Sequence, residues 1–174
     1  GAGVFNSFGD DLRKEMAAFA HTNAVLALLR DGFVEQSPGG SVRLADDGSP
    51  ILDYDVSDYV WDGVRRAYLS MAELQFAAGA KQVRPAHIDA GYQTNWNDAK
   101  RAITELPLRK FRPAVFTAHL MSGCAMSENP KRGVVNSRGT HHQIANLSVM
   151  DGSVFPTSIG ANPQLSVYGL TAQN

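Results

Sequence analysis

Asn146-Leu147-Ser148-Val149-Met150-Asp151-Gly152-Ser153-Val154-Phe155-Pro156-Thr157, with Gly160-Ala161-Asn162-Pro163 close behind it, is the passage that decides how this chain reads. Residues 146–150 alternate apolar and polar side chains as a strand does, Asp151-Gly152-Ser153 is a turn, and Asn162-Pro163 opens a terminal helical segment. Asn at the N-cap accepts a hydrogen bond from a free amide of the first turn. Pro at the first helical position has no N–H to leave unpaired and a fixed φ. The helix is therefore expected to point its positive end at the space around Asp151 and His119, a place suited to a ligand that carries or develops negative charge.

Two further blocks extend this passage: His119-Leu120-Met121-Ser122-Gly123-Cys124-Ala125-Met126 and Gly133-Val134-Val135-Asn136. In order and spacing the blocks resemble the carboxyl-terminal signature of the glucose-methanol-choline (GMC) flavoprotein oxidoreductases, over about the last third of the chain. Residues 50–85 more weakly resemble the same family's substrate-domain passage. The chain departs from the pattern at Ser122-Gly123, where the family commonly has Gly-Thr, and at Ser127, where it has Gly.

The resemblance implies a FAD-dependent oxidation of an alcohol CH–OH group, by a dehydrogenase or an oxidase. His119 falls on the family's active-site His, whose implied work is to accept the hydroxyl proton while the carbon gives hydride to flavin N5. Residue type agrees, since neutral imidazole is well matched to that proton near physiological pH, although it suits a structural role equally. Asn162 falls on the second active-site position, where its amide would donate to the substrate oxygen. The implied FAD-binding residues are Asp151, Gly152, Asn162, Pro163 and Gln164. Taken without the neighbouring blocks, Asp151 is a turn residue and Gly152 a hairpin glycine.

No Gly-x-Gly-x-x-Gly cradle for a dinucleotide pyrophosphate occurs in the sequence. The resemblance then implies the carboxyl-terminal portion of an oxidoreductase, with residues 1–115 a substrate-binding domain and 116–174 a return segment that completes the FAD domain. The implied partners are a small alcohol and the Gly-rich amino-terminal part of the same protein, and a homodimer is compatible with it. Alone, the chain is expected to bind FAD weakly or not at all and to be inactive. A free-standing α+β ligand-binding module without redox activity is the alternative. A hydrolase or isomerase built on His119 finds no Gly-x-Ser-x-Gly elbow and no paired acid.

Composition narrows the classes. With 174 residues, 44% of them hydrophobic, the chain can fill one well-packed domain. Its 16 basic and 17 acidic residues leave a net charge of -1 and no basic run, which disfavours nucleic acid and anionic membranes. One Cys forms no internal disulfide, and no signal peptide is visible, so a cytoplasmic protein is expected. Cys124, with no adjacent base, reads as a small buried apolar residue. His141-His142 reads as loop rather than a metal pair, because adjacent side chains diverge and no third ligand is spaced to join them. Gly1-Ala2-Gly3 is either native or a cloning remnant.

The remaining residues predict an α+β fold. Leu12, Met16, Phe19, Ala20, Ala24 and Leu28 recur near helical spacing from Asp10 to Arg30. Val42, Leu44 and Ile51 alternate around Asp46-Asp47-Gly48-Ser49, a hairpin turn, and Ser37-Pro38-Gly39-Gly40 supplies another turn. Ser57 or Asp58 caps a long helix whose Val60, Val64, Tyr68, Met71, Leu74 and Ala77 face a core, ending at Gly79. Lys81 to Ile88 reads as a strand, and Asn95 or Asn97 caps a helix that Pro107 stops. The expected architecture is an antiparallel sheet of strands near 42, 51, 83 and 115, with helices packed on it. His87 and Trp96 read as structural ahead of cavity-lining.

Overall fold

The computed structural model of the protein describes residues 5, 7–32, 34–37 and 39–173. It is an α+β chain with a small antiparallel hairpin and, among the described residues, four α-helices. The chain divides into two compact units, one of residues 1–29 and 53–115 and the other of residues 30–52 and 116–174. No described helix is long and apolar enough to cross a membrane.

In the first unit, α1 (Gly9–Ala17) places Asp10 and Asp11 in its first turn, where they oppose the helix dipole. One turn of 3-10 helix, Phe19–His21, follows, and Thr22 is already extended. The helix expected to run to Arg30 therefore stops about ten residues early. Asn23 gives the reason: its carbonyl accepts from Gln75 Nε2 at 3.3 Å and its side-chain amide donates to Gln75 Oε1 at 3.1 Å, so the backbone is tied to another helix instead of its own next turn. The apolar residues beyond, Leu26 and Leu28, stay about 70% exposed and have no core to pull them into a helical face.

The core of this unit is helix on helix. Helix α2 (Asp58–Ala77) buries Val60, Val64, Tyr68 and Ala72, one residue per turn, and Val64, Tyr68 and Ala72 pack against Ala99 and Ile103 of α3 (Trp96–Glu105). The stripe leans away from the expected Leu74, which is 61% exposed, and Ala77 is exposed too. Asn95 caps α3 by accepting from Asp98 N at 3.0 Å. At the other end Arg65 of α2 donates to the carbonyls of Ile103, Thr104 and Leu106, where the helix runs out of backbone donors. Gly79, at φ +89, ends α2 as expected of a glycine after a helix.

The four-stranded sheet does not form. Residues near 83 and 115 make only isolated backbone pairs, Val83 with Gln93 and His87 with Pro113, and α2 packs on α3 in place of a sheet. Buried His87 shows why this stretch is irregular: Nδ1 accepts from Asp89 N at 3.1 Å and Nε2 lies 3.0 Å from the Pro107 carbonyl, so the ring, in its Nε2–H tautomer, ties two loops together. A second tie holds α1, where half-buried Glu15 accepts from Arg84 and Ser7 at 2.9 Å each and from Tyr92 at 3.3 Å.

Tyr68 donates to the Ala86 carbonyl at 2.7 Å, and burial pushes its phenol up to about 12. An unfolded tyrosine ionises near ~10. Because the folded value is the higher one, the stabilisation is whole below pH ~10 and is lost as pH rises towards 12. Urea midpoints measured from pH 8 to 12 are expected to fall through that window, and Tyr68→Phe should remove this component of the fall while lowering stability near neutrality.

The second unit contains β1 (Gly40–Leu44) and the first half of β2 (Pro50–Tyr54), paired across the expected turn. Asp47 Oδ1 accepts from both the amide and hydroxyl of Ser49, and Gly48 takes φ +81, so the turn has the chemistry read in its sequence. Of the other expected turn, Pro38 lies outside the described residues. Residues 116–163 carry no regular strand. The expected strand over 146–150 is reduced to one antiparallel backbone pair, Thr140 with Ser148, made by Val149 N donating to the Gly139 carbonyl at 2.8 Å and His141 N to the Leu147 carbonyl at 2.9 Å. The terminal helix α4 (Gln164–Gln173) begins one residue later than expected, with Pro163 supplying the first carbonyl, to Val167 N at 2.9 Å.

Candidate functional site

The second unit is built backbone on backbone, and glycines make this possible. Ser122 N donates to Gly152 O at 3.3 Å, Cys124 N to Ser153 O at 3.0 Å and Met126 N to Val154 O at 2.8 Å, so the segment after His119 is laced to the turn after Asp151. A Cβ on Gly152 would stand 2.6 Å from the carbonyl oxygen of Leu120, the residue next to His119. Only glycine leaves room for that approach. Val154 and Val135, both fully buried, anchor the two sides, and Ser127 N donates to Val135 O at 2.8 Å. Gly133 allows the same closeness to Ala125 and Ser127.

The departure at Ser122 has a local meaning. Ser122 and Gly123 take φ +71 and +105, a left-handed pair in which serine sits at the kind of position glycine fills without strain. His119 lies three residues before this kink, exposed, and its ring makes no hydrogen bond among the described residues. Half-buried Cys124 joins the lacing through its backbone. His142 Nε2 lies 2.8 Å from the Ser127 carbonyl, and His141 Nδ1 accepts from the amides of Gln143 and Ile144, so both imidazoles are engaged in shaping one loop.

Asp151 caps the 3-10 turn Gly152–Val154, its Oδ1 accepting from Ser153 N at 2.8 Å and Ser153 Oγ at 2.5 Å. The serine hydroxyl first, and its amide second, hold the carboxyl below the usual carboxylate range, so it is anionic at neutral pH. Its Oδ2 makes no hydrogen bond among the described residues and the side chain is exposed. An acceptor fixed by one oxygen and open at the other suits a ligand hydroxyl.

Asn162, Pro163 and Gln164 enter α4, a helix without a charged side chain. Asn162 is exposed and makes no side-chain hydrogen bond among the described residues, whereas Gln164 Nε2 donates to Tyr168 Oη at 2.8 Å. The recorded contact of α4 with the Asp151 turn is at its last turn, where Thr171 Oγ1 donates to Met150 O at 3.3 Å. The structure thus brings the His119 segment and Asp151-Gly152 directly together and joins Asn162 to them through α4 and the intervening loop. It also adds a segment that the reading of motifs missed. Gly32 and Arg30 pack on residues 157–160, a Cβ on Gly32 falling 2.9 Å from Thr157 Oγ1. The glycine itself, which takes φ +126, is the local signal in the sequence, and the helical spacing that runs up to Arg30 hides it.

Residues 36–171 match the family model described as GMC oxidoreductase. A long-chain-alcohol oxidase of Arabidopsis thaliana is 27% identical over 168 residues, which is 92% of this chain and 22% of that protein. A GMC-type oxidoreductase of Sinorhizobium fredii (strain NBRC 101917 / NGR234) is 29% identical over 140 residues, 80% of this chain and 28% of its own length. A cholesterol oxidase of Acinetobacter baumannii is 44% identical over 55 residues, 32% of this chain and 10% of that protein. The chain thus spans about a quarter or less of these relatives' length. No solved structure gives a significant match.

Proposed function

Since the chain belongs to the GMC oxidoreductases and corresponds to their carboxyl-terminal portion, we propose that it carries the catalytic segment of a FAD-dependent enzyme oxidising an uncomplicated alcohol, long-chain or sterol-like, as its relatives' names suggest. One observation supports this above the others. The main-chain lacing of 122–126 to 152–154 ties the candidate base segment to the candidate cofactor turn, which is what a reaction between an alcohol and a cofactor needs.

The donor set fits one side of FAD. Asp151 offers Oδ2 to a ribityl hydroxyl, Gly152 adds no side chain to obstruct the approach, and the first turn of α4, entered through Asn162, Pro163 and Gln164, has amides without helical partners for an electron-rich ring edge. When bound, FAD supplies the acceptor for the hydride leaving the alcohol carbon. A ring nitrogen of His119 takes the hydroxyl proton, and the Asn162 amide donates to the oxygen as it gains charge.

Leu165 of α4, apolar and 82% exposed, supports a further partner. The rest of the same enzyme is the partner proposed, with residues 1–115 on its substrate side and 116–174 completing the flavin domain. The test is anaerobic mixing of the complete flavin-loaded protein with a long-chain primary alcohol. Bleaching of the flavin is expected, and a flavin left oxidised by every alcohol offered would refute the assignment.

A further inference from the structure

A Cβ on Gly160 would stand 2.9 Å from Arg30 Nε, 3.0 Å from Cζ and 3.3 Å from Cδ. The guanidinium therefore covers the Gly160 backbone, filling the space that any other residue at 160 would need. Both glycines of this contact have left-handed backbones, Gly160 at φ +71 and Gly32 at φ +126, so the fit is made by conformation as well as by space. No carboxylate pairs with Arg30 among the described residues. Of the two acids close to it in the chain and the site, Asp31 has an interaction of its own, and Asp151 is bound at Oδ1 by Ser153. A guanidinium does not lose its proton in the physiological range, so a fixed positive charge sits two residues from Asn162, within about 8 Å along the chain.

We propose that Arg30 determines specificity at the Asn162 site, selecting uncharged alcohols and rejecting those that carry a fixed positive charge. The proposal rests on the reading that the alcohol oxygen lies at the Asn162 amide. From there, a cationic group on a small alcohol comes within about 10 Å of the guanidinium. Two like charges at that range, in the effective dielectric near a protein surface, give discrimination on the order of tenfold at low ionic strength, falling to about threefold at about 0.1 M salt. The same field favours an anionic group in the position of the cation.

The test compares two alcohols of nearly one shape, choline and 3,3-dimethylbutan-1-ol, in which carbon replaces the quaternary nitrogen. In the flavin-loaded enzyme the neutral alcohol is expected to reduce flavin about tenfold faster at equal low concentration, and the ratio should shrink as salt is raised. Arg30→Gln should bring the ratio to within about threefold of unity, and Arg30→Lys should keep it. Binding read by calorimetry gives an arm independent of turnover: 3-hydroxypropanoate, whose carboxylate takes the position of choline's ammonium, should bind several-fold more weakly to Arg30→Gln than to Arg30→Lys. Because each comparison is a ratio within one protein or between two folded variants, general damage cancels. A wild-type ratio that ignores salt, or one unchanged in Arg30→Gln, overturns the proposal while leaving alcohol oxidation standing. Failure of both alcohols, and of every longer one, to reduce the flavin removes the reaction and this proposal together.

Discussion

Replacing His119 by Ala is expected to slow anaerobic flavin reduction by an alcohol about 10²-fold or more, the usual loss when a positioned base is removed. The expectation comes from the placement of the residue. His119 is exposed, its ring is uncommitted among the described residues, and its segment is held by backbone bonds that the substitution leaves intact. Melting temperature should therefore barely move. That separation is the useful part of the measurement, because a structural histidine behaves in the opposite way: His87→Ala would strip a buried ring from two loops and cost stability first. A His119→Ala protein that reduces at the wild-type rate, with Cys124→Ala folded but inactive, would move the chemistry to the thiol.

Gly152→Ala should be strongly damaging although it adds a single methyl. The new Cβ would lie 2.6 Å from the Leu120 carbonyl oxygen, a backbone atom that no side-chain rotation can move out of the way. Relief requires the 120–126 segment to part from 152–154, breaking hydrogen bonds at 3.3, 3.0 and 2.8 Å. Overpacking of this sort costs about 1–3 kcal/mol, and loss of the paired backbone adds to it. A drop of at least ~2 kcal/mol in unfolding free energy is expected, together with faster amide exchange at Ser122, Cys124 and Met126. Gly169→Ala is the control, since a Cβ there meets nothing within 4 Å and the helix gains propensity. Equal stability of Gly152→Ala and Gly169→Ala would show that the close approach is not maintained in solution.

What the sequence made legible follows the range over which its signals act. The hairpin around Asp46 to Ser49, the Asn95 cap, the stop at Pro107 and the Gly79 terminus are all local: each depends on a few side chains bonding their own backbone, and each was found where it was read. The strands at 83 and 115 failed because alternation says only that a residue can face a core. Here the core was supplied by α3 packing on α2, and His87 fixed the intervening chain as loops. The early end of α1 failed for a similar reason, since the bond between Asn23 and Gln75 spans 52 residues and leaves no trace in local spacing. At the candidate site, the motif blocks named His119, Asp151 and Asn162. The lacing that relates the first two could not be inferred from the blocks, because it is made by main-chain atoms common to every residue type.

The division of the chain has a consequence for how it is made. Residues 30–52 belong with residues 116–174, so the whole of residues 53–115 must be synthesised before Arg30 and Gly32 can meet Thr157 and Gly160. The first unit can close while translation continues, whereas the second waits for residues 116–174. Closing so long a loop is slow because its entropy is lost before the contacts that reward it are made. On the ribosome, then, the half that bears the candidate chemistry folds last.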